Sequence, residues 1–460
     1  MADEDLMNIS DLFIEKICET AAAAPEGRTL TETRRCLLDF AGAACGGRSL
    51  LREKTDRLLE LEPPCDGVTV INSGAKASLQ TAALLNGMAA HVFDIDDGNR
   101  LTSIHLGAPI ISALLSVGEW NDLSLEDIFR GIAAGYEAAN RMGKCIQPHH
   151  RKRGYHASGT CGTIGAALGV GAALRFSEEE MKAALCAACT AASGILEMQE
   201  NASTLKPYNI GRAAHDGVTS ALMAKAGFRG PDDPLTGKFG FIKAVADDWN
   251  TDMLVCSLPE NLTVLGSYHK IHASCRHTHG AVDAARAILE KHPGTVPASI
   301  ERITVRMYEQ GVKGHDHTEV NSPVAGKMSI PFATALAIVK GSVGFSDFTD
   351  GNISDEEVQR LCAATEVIAD ERLTAQAPAI REAVVEIDLK DGTVFRESVK
   401  YPKGEPEYPL TEGDIRAKFA DLAACGKLDA EKAGRTADLI LAGPPETKVR
   451  ELMHLISGNS

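Results

Sequence analysis

No uninterrupted apolar run in the 460 residues reaches the roughly 18 needed for a membrane-spanning helix. The segment Met1 to Glu19 carries early acids where a secretory leader carries basic and then apolar residues. Positive charge is the minority: 47 Lys and Arg stand against 63 Asp and Glu, for a net charge of −16. That balance argues against a nucleic-acid partner, because phosphate binding needs a basic face. It still permits a small anionic substrate, since a cationic pocket can sit inside an acidic protein. Twelve cysteines are scattered along the chain rather than spaced as a disulfide framework. Cys186 and Cys189 form a CxxC, but in a small-residue helical run that reads as two buried thiols. The expectation is a soluble protein of a reduced, cytoplasmic compartment, with no membrane partner.

What is present is mostly helix. Thr29-Leu-Thr-Glu32, Ser124-Leu-Glu-Asp127 and Ser177-Glu-Glu-Glu180 read as capping boxes, in which a hydroxyl and a carboxylate satisfy the first free N–H groups of a helix. Between them the sequence is rich in Ala and Gly, which lets helix axes approach closely. After about residue 295 the period changes. Ser299–Met307, Ala383–Leu389 and Val394–Val399 alternate apolar and polar as half-buried strands do, and Asp391-Gly392 marks a hairpin. Helices are expected at Pro331–Lys340, Asp355–Ala364, Thr411–Ala424 and Lys448–Ile456. The fold class is therefore mainly α: a large all-helical domain built from both chain ends, 1–268 and 403–460, with an inserted smaller α+β lid domain at 269–402.

Four segments concentrate ionisable groups beside small residues. In Asn86–Asp97, followed by His105, Asp94 and Asp97 are three apart and would share a face at a helix end. With the neighbouring histidines they suit general acid/base work; the alternative is that they cap a helix. Arg153–Gly162 opens a helix at about Thr163, where free N–H groups suit a carboxylate and would bias His156 toward neutrality; otherwise it is a packing loop. In Leu205–Gly217, Lys206 precedes a proline and is turned out of a helix face, either to anchor a carboxylate or as a solvated lysine. Tyr268–His279 packs four His, one Lys, one Arg and one Cys into twelve residues. His277-Thr-His279 invites a metal reading, but neither HExxH nor zinc-type Cys pairs accompany it. Ten of the 14 histidines fall between His91 and His279, which favours proton transfer.

These segments resemble the MmgE/PrpD family. The similar stretches are Asn86-Gly, Ala90–Asp97, Gly154–Thr160, Lys206 with Ile210–Ala214, and Cys275–His279, with a weaker one at Ser329–Ala333. The resemblance covers nearly the whole chain. It implies a helical domain with a smaller α+β lid, a homodimer, an active site between the two domains, and activity without a metal or organic cofactor. By position, Asp94, His105, His156, Lys206 and Lys270 match the family's site. The family's members include 2-methylcitrate dehydratase, cis-aconitate decarboxylase and iminodisuccinate epimerase. All three reactions place a carbanion beside a carboxylate.

The resulting expectation gives proton transfer to His156 with Asp94, helped by His105, with Tyr155 as a candidate acid for two-faced transfer. Lys206, Lys270 and Arg276 would hold carboxylates, with His277 and Cys275 nearby. The substrate is a small di- or tricarboxylate, and dehydration of a hydroxy-polycarboxylate ranks first. Epimerisation and decarboxylation are the alternatives. Decarboxylation stands lower because the decarboxylase carries a histidine where this chain has Cys275. Outside enzymes, the competing class is a binder of anionic metabolites.

Overall fold

The computed structural model describes residues 8–199 and 203–458. It is mainly α, with 21 α-helices and six strands among the described residues. None of these helices is long and apolar enough to cross a membrane. The chain divides into two compact units: unit 1 takes the described residues within 1–92, 96–268 and 411–460, and unit 2 takes 93–95 with 269–410.

Unit 1 is built on nine helices from the first half of the chain: α1 (Ile9–Ala21), α2 (Gly27–Glu60), α3 (Leu79–His91), α4 (Gly107–Trp120), α5 (Leu125–Ile146), α6 (His149–Lys152), α7 (Ala157–Ala173), α8 (Glu178–Ala191) and α9 (Lys206–Lys225). The boxes at Ser124/Asp127 and Ser177/Glu180 close as read from sequence and start α5 and α8. Thr29-Leu-Thr-Glu32 does not. α2 starts earlier, at Gly27, with Glu26 at its N-cap and no side-chain cap. Likewise α7 begins at Ala157 rather than Thr163.

Every residue of α7 is buried, and it packs along α5, α4 and α9. Glycine permits the α5 contact. A Cβ on Gly135 would lie 2.7 Å from the Gly165 carbonyl oxygen, and one on Gly169 would lie 2.8 Å from that of Gly131. A short hairpin, β1 (Val68–Thr69) with β2 (Lys76–Ala77), precedes α3. Asn86 of α3 accepts the Ile71 N–H at 2.8 Å. The last three helices of the chain, Glu412–Cys425, Ala430–Ala442 and Val449–Ile456, return to pack on α2 and α4.

Unit 2 carries a four-stranded sheet of order β4-β3-β5-β6: β3 (Ile300–Met307), β4 (Thr365–Ala369), β5 (Ala383–Leu389) and β6 (Val394–Val399). β3 pairs parallel with β4 and antiparallel with β5. β5 and β6 form the hairpin, turning at Gly392, whose φ of +85° suits glycine. The helices His279–Lys291 and Ile330–Lys340 pack against this sheet. The residues before the first of them carry the chemistry of this unit.

Candidate active site

In unit 1 the site is organised by Asp96. α3 ends at His91, and the chain returns to this unit at Asp96. One carboxylate oxygen, Oδ2, lies 2.9 Å from His91 Nδ1 and 3.2 Å from His105 Nδ1. Burial pushes the Asp96 carboxyl up, but the charges of His105 and His91 and their hydrogen bonds outweigh it and hold it well below the usual carboxylate range. An ionised carboxylate only accepts, so both rings must carry hydrogen on Nδ1. His105 Nδ1 also reaches the Asp97 carbonyl at 3.1 Å. The two rings meet edge to face, with centroids 4.7 Å apart.

The surrounding structure fixes this group. The Asp97 carboxylate accepts from Tyr136 Oη at 2.7 Å and from the Gly107 N–H at 2.8 Å, so it braces the start of α4. The His105 N–H donates to Ser158 Oγ at 2.9 Å, which ties this segment to the first turn of α7. His156 is the N-cap of α7 and is buried; its Nδ1 has no hydrogen-bond partner. Burial first, then the rings of His91 and His105 and the charges of Lys206 and Arg151, hold its pKa well below the ordinary value. The expected neutral His156 is therefore found, with burial rather than the helix end as its main cause. Lys206, the first residue of α9, also lowers the pKa of His91, again behind burial. The structure thus brings His105, His156 and Lys206 together, and adds His91 and Asp96. The clue to Asp96 was in the sequence, five residues past His91 and beside Asp94, but nothing local ranked it above its neighbours.

Donor atoms of His91, Asp96 and His105 lie within 4.8 Å of one another, a spacing that can hold a cation. As built, however, both Nδ1 atoms present hydrogen to the carboxylate. A metal would have to displace both protons; the arrangement fits hydrogen bonding.

Tyr155, the candidate acid, stacks on His150 with centroids 5.1 Å apart. It lines an open cavity of about 680 Å³ with Cys189, Lys238, Phe239 and Phe241.

In unit 2, Asp94 lies in the left-handed region at φ +57°, a conformation that Asp tolerates better than most residues. Its backbone carbonyl and its carboxylate both meet Lys270 Nζ, each at 2.7 Å, and Lys270 is fully buried. The expected sharing of a face by Asp94 and Asp97 is corrected: the positive φ turns Asp94 onto Lys270, while Asp97 braces α4.

Arg276 is buried and clamped. Its Nε and Nη2 donate to Glu405 Oε1 at 3.0 and 2.8 Å, and Nη1 donates to His279 Nδ1 at 2.8 Å. A guanidinium engaged in this way organises unit 2 instead of standing ready for a substrate carboxylate. His279 accepts from it and stays neutral, since burial and then the Arg276 charge hold its pKa well below the ordinary value. His277 Nδ1 is hydrogen-bonded to Tyr308 Oη, and its ring lies 5.0 Å from that of His315. Cys275 Sγ is 3.4 Å from His315 Nε2. Burial raises the Cys275 thiol, but the charge and hydrogen bond of His315 outweigh it and bring the thiol down to about 7. His315 and Tyr308 were missed in the sequence because they come from separate loops more than thirty residues downstream of Cys275.

Comparison with known proteins agrees with this layout. Residues 13–253 match the MmgE/PrpD N-terminal domain, and residues 272–442 match the MmgE/PrpD C-terminal domain. The chain is 25% identical to a cis-aconitate decarboxylase-like protein, oryM, of Aspergillus oryzae, over 93% of each chain. It is also 25% identical to a cis-aconitate decarboxylase of Aspergillus terreus, over 93% of this chain and 91% of that one. A cis-aconitate decarboxylase of Mus musculus is 27% identical over 74% of this chain and 70% of its own. With both family domains matched in order, over segments that hold all of these residues except Lys270, the chain belongs to the MmgE/PrpD family.

Proposed function

We propose that this chain is a carboxy-lyase that removes CO₂ from a small unsaturated tricarboxylate of the cis-aconitate kind. The observation that carries the reading is the His91–Asp96–His105 bridge, with neutral His156 and the Lys206 charge in electrostatic reach of it. Decarboxylation takes first place from dehydration because the relatives matched over nine-tenths of both chains are named for it.

Loss of CO₂ leaves an electron pair on carbon beside the remaining carboxylates. That charge needs a cation during the step and a proton after it. Lys206 supplies the cation to a substrate carboxylate. His105, hydrogen-bonded to Asp96 and less buried than His91, is assigned as the proton donor to the carbanion. His91 holds Asp96 from the other side and fixes its orientation. His156, neutral and with Nδ1 unpartnered, serves as a hydrogen-bonding group for the charge that develops on the substrate as CO₂ leaves. The chemistry consumes one proton per CO₂ released and needs no redox partner.

The test is incubation of purified protein with cis-aconitate, and in parallel with citrate-type hydroxy acids, in D₂O, followed by NMR. The expected result is CO₂ release with one deuterium at the carbon that bore the lost carboxylate or at its allylic partner. Alkene formation from a hydroxy acid without carbon loss would put dehydration back in first place. Exchange at a stereocentre with no net conversion would indicate epimerisation.

A further inference from the structure

We propose that Cys275 and His315 form a thiolate–imidazolium pair, a nucleophilic site that takes soft neutral electrophiles such as α,β-unsaturated carbonyl compounds. The geometry has two parts. Cys275 Sγ and His315 Nε2 are 3.4 Å apart, within sulfur hydrogen-bond reach. The other ring nitrogen, His315 Nδ1, lies 3.1 Å from the Lys313 carbonyl; since a carbonyl only accepts, Nδ1 carries hydrogen and Nε2 faces the sulfur. That is a nucleophile, a base and a group orienting the base, the arrangement that activates a thiol.

The other groups facing this pair are Asp94, which opposes thiolate formation, and Lys270, which favours it. The ring of His277 and, behind it, Tyr308 lie on the His315 side, and Lys327 accepts the Cys275 N–H through its carbonyl. Cys275 is half-buried. In the step itself, the thiolate sulfur bonds to the β-carbon of the alkene. The C=C electron pair moves to the α-carbon, which takes the Nε2 proton of His315. No leaving group and no oxidant are involved.

The inference is independent of the decarboxylase reading, because its test reads no turnover. Purified protein is treated with iodoacetamide, and separately with acrylamide, across pH 5.5 to 9.5, and peptide mapping by mass spectrometry follows each cysteine. Cys275 is expected to react first, half-maximally near pH 7, with both reagents. In His315→Asn the midpoint is expected to move above about 8.5, the value of an ordinary thiol, because burial is then no longer outweighed, and the rate at pH 7 to fall at least about tenfold. Circular dichroism confirms that the variant is folded, and His315→Gln serves as a second variant should Asn fail. A wild-type midpoint at 8.5 or above, a rate unaffected by loss of His315, or Cys275 reacting no faster than exposed Cys65 would each overturn the proposal.

Discussion

Lys270 Nζ touches Asp94 twice, once through the carboxylate and once through the backbone carbonyl, each at 2.7 Å. Both groups are buried, so neither charge has ready access to water. Removing one partner strands the other, whereas removing both removes the problem. Lys270→Met is expected to cost about 3–5 kcal/mol of unfolding free energy, and Asp94→Asn a comparable amount. Asn is the replacement of choice because it tolerates the positive φ at this position. The double variant should recover more than half of the loss. Denaturant melts of the four proteins give the coupling; additive losses would show that the pair does not act as a unit.

On the proposed mechanism, proton transfer in unit 1 depends on the Asp96 charge. Asp96→Asn keeps the size of the group but removes the charge that orients His91 and His105. Turnover is expected to fall by about 10²–10⁴, the range for a positioned acid or base, with KM little changed. Lys206→Met should act in the opposite sense, raising KM more than it lowers kcat. Steady-state kinetics on cis-aconitate separates the two; a pure KM effect from Asp96→Asn would remove it from the proton path.

His156→Ala distinguishes an enzyme from a binder. If the chain turns substrate over, this variant should lose most of its rate while still binding a non-reactive tricarboxylate, as followed by calorimetry. Loss of affinity together with unchanged turnover per bound substrate would assign His156 to binding alone.

Buried neutral histidines make stability depend on pH. Burial brings His150 down to about 4, from an unfolded value near 6.5. Below pH 6.5 the unfolded chain takes up a proton that the folded chain cannot. The contribution is therefore complete above pH 6.5 and is lost as pH falls toward 4, by up to about 3 kcal/mol for this one group. The lowered pKa values of His91, His156 and His279 act in the same direction. Unfolding free energy is expected to fall steadily from pH 6.5 to 4.5, less steeply in His150→Gln. A flat profile in the wild type would show that these rings charge while the protein stays folded.

How much of this was legible in the sequence depended on the range of the signal. Ser124 and Ser177 announced α5 and α8 because a capping box is complete within four residues. β5, β6 and the turn at Gly392 could be read from alternation and an Asp-Gly pair. The start of α7 could not, since Ala157-Ser-Gly-Thr160 has no apolar period, and its helix is made possible by glycines on α5 far away in sequence. β4 was missed because a strand paired in parallel with β3 takes its partner from about sixty residues away. The site divides the same way. His105, His156 and Lys206 came from recognisable segments, whereas adding Asp96 required its contacts with His91 and His105, and His315 required the fold.

The glycine seam between α5 and α7 positions the site, because α7 carries His156 at its N-cap and Ser158 against His105. Gly135→Ala would place a methyl group 2.7 Å from the Gly165 carbonyl oxygen. Neither backbone can yield without moving the helix, so the expected cost is about 1–3 kcal/mol, the usual range for overpacking. α7 should also shift relative to α4, weakening the Ser158–His105 contact, and activity should fall beyond what the stability loss alone predicts. Gly165→Ala meets the same surface from the other side, with its Cβ 2.7 Å from the Gly135 oxygen. Once the first methyl group has pushed the helices apart, the second finds part of its room already made. The double variant should therefore cost less than the sum of the singles. Thermal melts with kinetics at a temperature where all variants are folded test both parts, and strict additivity would show that the helices do not move as rigid neighbours.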